Sequence, residues 1–216
     1  MGGCTAVTVD IARVPRVKLP KGTTLERIYR ARDGEGQPCT PWYFSCRGEG
    51  RQGRFDLAHP AGTCYLAGDL DSAFRETFRG ARVIAEGDVT ARGVVTATAT
   101  RASAPWADLA HELATESGVT LDTFSGSEYL DTQTIADRCH DSGDRGVISL
   151  IRHQSDGAGR GYSMFGAAGQ SDEPPAGWAA ESEALRDRVP QLSSHLASRI
   201  RAVPRSMRPT SPTLGT

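Results

Sequence analysis

Four side chains in the first half of the chain are of types that suit one reaction: Arg30, Arg54, Tyr65 and Glu76. An arginine fork can hold a diphosphate through two parallel hydrogen bonds. An aromatic face stacks on a heterocycle, and more strongly on a cationic one such as oxidised nicotinamide. A glutamate beside a ribose can stabilise an oxocarbenium-like centre and hold the 2′-hydroxyl. Together the four side chains would serve the cleavage of an N-glycosidic bond.

The spacing of three of these residues is even. Eleven residues separate Arg54 from Tyr65, and eleven separate Tyr65 from Glu76. The spacing has meaning only through the elements that carry the residues. Turn-forming residues at 59–62 predict two short strands within 53–67. A helix is predicted to follow, so the three side chains would lie on a strand, a strand and a helix.

Local periodicity describes this helix in more detail. Asp69 or Asp71 can cap its N-terminus. Phe74 and Phe78 are four residues apart and share the face that we expect to be buried. Glu76 lies about 200° around the helix from Phe74, among small residues. Periodicity alone therefore favours a solvated Glu76, although small neighbours would also let a ligand approach the helix closely.

The rest of the chain predicts an alternation of strands and helices without regular βαβ spacing. β-Branched and aromatic residues favour strands at these ranges: 27–31, 83–84, 89–100, 146–153 and 161–166. Composition favours helices at these ranges: 129–141, with Asp131 or Thr132 as cap, 178–189 and 192–203. Residues 42–44 form an aromatic cluster that anchors a long loop in the core or forms a wall of a binding site. The predicted class is α+β.

Composition excludes several kinds of partner. The formal net charge is −1, which gives no electrostatic reason to expect nucleic acid or an anionic membrane. No run of 18 apolar residues and no signal-peptide pattern occurs. The five cysteines, an odd number, are typical of reduced thiols and show no zinc-binding spacing. We therefore expect a cytoplasmic protein without a metal site.

Common catalytic motifs are missing from the sequence. There is no P-loop and no G-x-S-x-G, since Phe165 stands where the second glycine of that motif would be. The glycine-rich run at 157–161 is followed by a predicted strand rather than a helix, so it does not match a dinucleotide fingerprint. A hairpin is the interpretation that we prefer for this run.

The sequence resembles the RES-domain family, named for its arginine, glutamate and serine. Four segments carry the resemblance: Ile28-Tyr29-Arg30-Ala31; Gly53-Arg54-Phe55 with Tyr65-Leu66-Ala67; Ser72-Ala73-Phe74-Arg75-Glu76-Thr77; and Gly146-Val147-Ile148 through Arg152-His153 to Met164-Phe165. Together they span about residues 24–167. Each segment alone is short, and their order along the chain makes the set fairly specific.

The resemblance implies a fold like that of ADP-ribosyltransferases, with mixed small sheets and surrounding helices. It also implies a bacterial toxin that destroys NAD by hydrolysis or phosphorolysis and that an antitoxin protein neutralises. Arg30 and Glu76 match the family's catalytic arginine and glutamate. Arg54 and Tyr65 match its phosphate-binding and nicotinamide-stacking positions. NAD would be the substrate, and no cofactor would be required.

The family's serine has no direct equivalent here. In the family it commonly stands just before an arginine, and Ile151 stands before Arg152 in this chain. Ser149 lies two residues earlier, on the same side of the predicted strand. We therefore take Ser149 as the candidate catalytic serine and Arg152 as a candidate substrate-binding residue.

Three functions remain open at this stage. The first is NAD cleavage at the nicotinamide–ribose bond. The second is ADP-ribose transfer or processing of an NAD-like metabolite, and the third is a non-catalytic domain that binds a nucleotide or a partner. We expect an N-terminal arm at 1–23, one domain at 24–203 and a disordered tail at 204–216. The predicted helices at 178–203 would pack on the domain or form a homodimer or partner surface.

Overall fold

Strands make up most of the regular structure. A computed structural model describes residues 9–48, 52–120, 123, 129–153 and 157–202. In chain order the strands are β1 (Arg16–Lys18), β2 (Thr24–Arg30), β3 (Trp42–Phe44), β4 (Ala61–Ala67), β5 (Ile84–Ala85), β6 (Arg92–Ala99), β7 (Pro105–Asp108), β8 (Gly146–Leu150), β9 (Arg160–Ala167), β10 (Gly169–Ser171), β11 (Trp178–Ala184) and β12 (Ile200–Arg201).

Helices are few and mostly short among the described residues. They are α1 (Leu70–Phe78), α2 (Glu86–Thr90), α3 (Leu130–Asp141), α4 (Leu185–Arg188) and α5 (Ser194–Ala197). Three 3-10 helices cover Ile11–Arg13, Glu112–Ser117 and Val189–Gln191. No helix in these ranges is long and apolar enough to cross a membrane.

Eight of the strands form one mixed sheet, in the order β1-β7-β8-β9-β4-β2-β6-β11. Neighbours in this sheet are antiparallel, except that β7 and β8 are parallel. β10 pairs with β3, and β12 pairs with β5, in two further two-stranded sheets. The α+β class is confirmed in this coarse sense. The expectation of small sheets only was wrong, because strands far apart in sequence join one large sheet.

The ladder between β2 and β4 is the weak point of this sheet. These strands share a single register pair, Glu26 with Ala67, whereas β2 pairs with β6 along its whole length. Beyond that pair the Arg27 side chain donates to the carbonyl oxygen of Tyr65 at 3.2 Å. Beyond the Glu26–Ala67 pair, the Arg27 side chain thus takes the place of backbone hydrogen bonds between the two strands. We call this place the β2–β4 junction.

One face of the sheet carries two apolar clusters with polar side chains between them. Ile28 and Ala67 belong to a cluster that also contains residues of α1, α4 and α5. Val147 belongs to a second cluster that includes the buried residues of α3. Tyr65 is directly opposite Ser163, and Ser163 is directly opposite Val147, so all three lie on this face. The opposite face holds a third cluster with Trp42, Phe44 and Trp106, which confirms the core anchor for two of the three aromatic residues at 42–44, whereas Tyr43 is exposed.

Residues at the two ends of helix α1 explain where it begins and ends. The Asp69 carboxylate accepts a hydrogen bond from the Ser72 backbone N–H at 2.7 Å, which confirms one of the two predicted caps. Phe74 is buried in the core, as predicted from the spacing with Phe78. Arg79 ends the helix in the left-handed conformation, with φ of 50°. The face that we expected to be buried is therefore the face against the sheet.

The predicted helices at 178–189 and 192–203 were wrong. Trp178–Ala184 is the edge strand β11, which pairs with β6 along its whole length. Its alanines and glutamates favour a helix locally, but pairing satisfies the backbone groups on the outer edge of β6. Single helical turns and β12 follow it as far as residue 202, the last that the structure describes in this region. Val9, Ile11 and Val14 near the N-terminus are buried in the core, and β1 adds an edge strand.

Smaller differences concern element boundaries. Residues 53–60 form no strand, so only β4 was found of the two strands predicted within 53–67. The strand predicted over 89–100 begins at Arg92, because Glu86–Thr90 is the short helix α2. Helix α3 begins at Leu130 without a side-chain cap, so neither Asp131 nor Thr132 has that role. The tail predicted at 204–216 lies outside the described residues.

Candidate active site

Helix α1 presents Glu76 to the segment that follows β8. The Glu76 side chain is half-buried, and its Oε1 accepts a hydrogen bond from the backbone N–H of Arg152 at 2.9 Å. This bond fixes the carboxylate at a defined place and leaves its second oxygen available. Periodicity favoured a solvated Glu76; the structure shows it half-buried, with its carboxylate bound by a segment 76 residues later in the chain.

Arg54 lies close to Glu76 with an incomplete set of partners. Its Nη2 donates to the Leu150 carbonyl oxygen at 3.4 Å, which is a long bond. Its Nη1 is buried and has no hydrogen-bond partner in the part of the chain that the structure describes. Burial lowers the pKa of Arg54; the Glu76 charge opposes this shift and the Arg152 charge adds to it. The arrangement leaves a cationic donor ready for an anion.

Tyr65 has a fixed ring and a buried hydroxyl. The hydroxyl donates to Asp56 Oδ1 at 2.8 Å and accepts from the Phe55 backbone N–H at 2.9 Å. Burial first, and the Asp56 charge second, raise the pKa of Tyr65 well above its usual value, so the ring stays neutral. A Cβ at Gly53 would overlap the Tyr65 hydroxyl, which explains the glycine before Arg54. The ring is thus positioned rigidly beside residues 53–56, which we call the Arg54 loop.

Asp56 organises this corner of the site and was not anticipated from the sequence. Its carboxylate is fully buried and accepts hydrogen bonds from the Ser45 hydroxyl at 2.7 Å and the Gly53 backbone N–H at 2.5 Å, besides that from Tyr65. No sequence motif marks it, because its donors come from three separate places in the chain. Asp56 therefore joins the Arg54 loop to the strand that carries Tyr65.

Helix α3 contributes two more side chains that sequence reasoning missed. The Arg152 guanidinium donates to the Tyr129 hydroxyl at 3.2 Å and lies 5.8 Å from the centre of its ring. The buried Gln133 side chain donates to the Gly53 carbonyl oxygen at 3.0 Å. Neither residue stood out in the sequence, because the partner of each lies on a distant segment of the chain. Tyr129 and Gln133 therefore hold Arg152 and the Arg54 loop from the α3 side.

Ser149 lies on the same sheet face as Tyr65 but two strands away, since β9 lies between β4 and β8. It is two residues after Val147, whose cross-strand neighbour Ser163 is directly opposite Tyr65. Its side chain is 1% exposed, and the next residue, Leu150, receives the Arg54 hydrogen bond. Ile151 is buried in the apolar cluster under α1. Ser149 is thus near the other candidates, and Ile151 packs against the helix that carries Glu76.

Among the described residues, no hydrogen bond or ion pair joins Arg30 to the other candidate residues. It lies at the end of β2, exposed, and its register partner is Arg92. Because β2 and β4 are antiparallel, Arg30 and Tyr65 lie on the same side of the Glu26–Ala67 pair. The two residues therefore face the β2–β4 junction from opposite strands. Within the described ranges, no group of three or more potential metal ligands is present.

A family model of the RES domain matches residues 25–186. The chain belongs to the RES-domain family. This match covers the elements from β2 to α4, and all six candidate residues lie within it. A search of curated proteins found no match.

This RES domain also resembles a solved structure, described as the M. tuberculosis MbcT–MbcA toxin–antitoxin complex. The TM-score is 0.55 at 20% sequence identity, and the likeness covers 81% of this chain and 90% of the other. At this identity the likeness concerns the fold. In this RES domain Glu76 comes from α1, Tyr65 from β4 and Arg54 from the segment before β4.

Proposed function

We propose that this RES domain is an enzyme that consumes NAD by cleaving the bond between nicotinamide and ribose. The observation that carries the proposal is the buried Arg54 Nη1, which has no partner among the described residues and lies beside Glu76 and Tyr65. A buried cation with a missing partner favours an anionic ligand. A neutral aromatic ring and a fixed carboxylate next to it suit the other end of the dinucleotide.

In the proposed reaction, the substrate diphosphate binds Arg54 and Arg30 across the β2–β4 junction. The nicotinamide ring stacks on Tyr65, and the Glu76 carboxylate stabilises the positive charge that develops on the ribose as nicotinamide leaves. The C1′–N bond breaks with its electron pair going to nicotinamide, which becomes neutral. Water or phosphate then adds to C1′ and loses a proton.

Ser149 and Arg152 have supporting roles in this proposal. Ser149 would donate a hydrogen bond to the substrate near the bond that breaks. Arg152 would contact a substrate phosphate or ribose from the α3 side, held there by Tyr129. The β2–β4 junction would then be the cleft that receives the dinucleotide.

The test is incubation of the pure protein with NAD, with and without phosphate, followed by chromatography for nicotinamide. We expect release by the wild type and a loss of roughly 100-fold or more in Glu76→Gln, because such electrostatic stabilisation contributes about that much. Glutamine can still accept from the Arg152 N–H, so the fold is kept. Glu112→Gln, at an exposed site, is the matched control. No turnover under either condition would refute the proposal.

The likeness to a toxin in complex with its antitoxin supports a toxin role for this enzyme. Induced expression in a bacterium should then lower cellular NAD and stop growth, and Glu76→Gln should do neither. Growth arrest with an unchanged NAD pool would separate toxicity from NAD consumption. Mass spectrometry of cell proteins for ADP-ribose adducts would reveal transfer in place of hydrolysis or phosphorolysis.

A further inference from the structure

Two arginines face each other across β2 and β6. Arg30 and Arg92 are register partners, so their side chains leave the same face of the sheet from directly opposed positions. Like charges in this arrangement destabilise a strand pair. No ion pair of the described residues neutralises either one. The two positive charges therefore repel each other in the protein without ligand, and an anion between the two guanidinium groups would remove this repulsion.

Arg92 is held in place more firmly than a surface arginine. Its guanidinium lies 5.0 Å from the centre of the Phe78 ring, and its Nη1 donates to the Asp88 carbonyl oxygen at 3.2 Å. Burial lowers the pKa of Arg92, the Asp88 charge opposes this, and the Arg30 charge adds to it. A guanidinium fixed by stacking loses little further freedom when it binds a phosphate. Arg92 is therefore preorganised, whereas Arg30 beside it is exposed.

The position of the pair relates it to the active site. Phe78, under Arg92, lies on α1, the helix that also carries Glu76, but about 200° around the helix from it. The link between the pair and the site is therefore through Arg30. Arg30 faces the β2–β4 junction on the same side of the Glu26–Ala67 pair as Tyr65. We propose that Arg30 and Arg92 together bind one phosphate or diphosphate group. For NAD as ligand this rests on the proposed function, and it adds Arg92 to Arg54 and Arg30 as a third arginine for the diphosphate.

Calorimetry on the full chain tests the proposal without requiring turnover. The probes are inorganic pyrophosphate, ADP-ribose and adenosine, and the variants are Arg92→Ala, Arg92→Lys and Arg30→Ala. We expect Arg92→Ala to bind pyrophosphate and ADP-ribose roughly tenfold or more weakly, since hydrogen bonds to charged groups contribute about that much. Arg92→Lys should recover part of the loss, because it restores charge without the fork. Arg13→Ala, exposed in the 3-10 helix that precedes β1 at the opposite end of the sheet, is the matched control for charge.

The outcomes separate this proposal from the proposed function. Pyrophosphate binding that depends on Arg92, in a protein that does not consume NAD, would support the anion site and refute the NAD reaction. NAD turnover with an unchanged KM in Arg92→Ala, and unchanged pyrophosphate affinity, would overturn the anion site alone. Failure of the wild type to bind either pyrophosphate or ADP-ribose would also overturn it. If Arg92→Ala does not fold, Arg92→Lys and Arg30→Ala decide by the same measurements.

Discussion

Replacing Asp56 by asparagine should disturb both the stability and the site of this protein. The carboxylate is fully buried and accepts hydrogen bonds from Ser45, Gly53 and Tyr65. Asparagine has the same shape, but its amide has one accepting oxygen and one donating group. If the oxygen accepts from the Gly53 N–H, the amide NH₂ faces the two hydroxyls. The Tyr65 hydroxyl already accepts from the Phe55 N–H, so its proton loses a partner.

The magnitude follows from these bonds. A hydrogen bond to a charged group contributes about 1.5–3 kcal/mol, and a buried donor without a partner costs about 1–3 kcal/mol. Ser45 retains an alternative acceptor in the Thr63 carbonyl oxygen at 3.2 Å, so its loss is small. We therefore expect Asp56→Asn to lower the free energy of unfolding by about 3 kcal/mol. Urea unfolding at neutral pH measures it.

Asp33→Asn is the matched control for this change. The Asp33 carboxylate also accepts two backbone hydrogen bonds, from Glu35 at 2.9 Å and Gln37 at 2.8 Å, but it is exposed. We expect a loss of under about 1 kcal/mol there. A spectrophotometric titration gives a second readout, because removing the Asp56 charge should lower the pKa of Tyr65 towards its usual value. Equal losses in the two variants, with an unchanged tyrosine titration, would refute the assigned network.

Three further predictions concern other contacts. Tyr129→Phe removes the hydroxyl that accepts from Arg152, so KM for NAD should rise severalfold with kcat nearly unchanged, and wild-type kinetics would contradict this. Burial raises the pKa of the Cys139 thiol from 9.0 to about 12. Between these two pH values the thiol ionises in the unfolded chain but not in the folded one, so the free energy of unfolding should fall by about 1.4 kcal/mol per pH unit. The urea midpoint of Cys139→Ala should fall less over this pH range than that of the wild type. Arg188→Met should lower the free energy of unfolding in urea by about 3–5 kcal/mol, because Glu26, whose side chain is 11% exposed, loses its ion-pair partner. The double variant with Glu26→Gln should regain part of the lost stability.

Local signals predicted the elements whose chemistry is local. Asp69 and the Phe74–Phe78 pair sufficed for α1, and β-branched and aromatic residues sufficed for the antiparallel strands β8 and β9. The edge strand β11 could not be predicted in this way, because alanine and glutamate favour a helix. What makes it a strand is the outer edge of β6, whose residues lie about 80 positions earlier in the chain.

The contacts of the candidate site could likewise not be predicted from local sequence patterns. The types of Arg54, Tyr65 and Glu76 already indicated their chemistry, but nothing near Glu76 in sequence shows that the Arg152 backbone covers it. Asp56 stands between two buried apolar residues, and its importance comes from donors on three separate segments. Contacts between distant segments thus decide burial and hydrogen bonding, and no periodicity records them.

The structure keeps Arg54 and Glu76 from neutralising each other. The ion pairs of the described residues do not include these two, although the Glu76 charge influences Arg54. Glu76 is instead bound to the Arg152 N–H, and the Arg54 loop is held on its other side through Gly53 by Asp56 and Gln133. A direct ion pair would satisfy both charges and leave neither for a substrate. Holding them apart keeps one cation and one carboxylate available, as a substrate with an anionic diphosphate and a developing ribosyl cation requires.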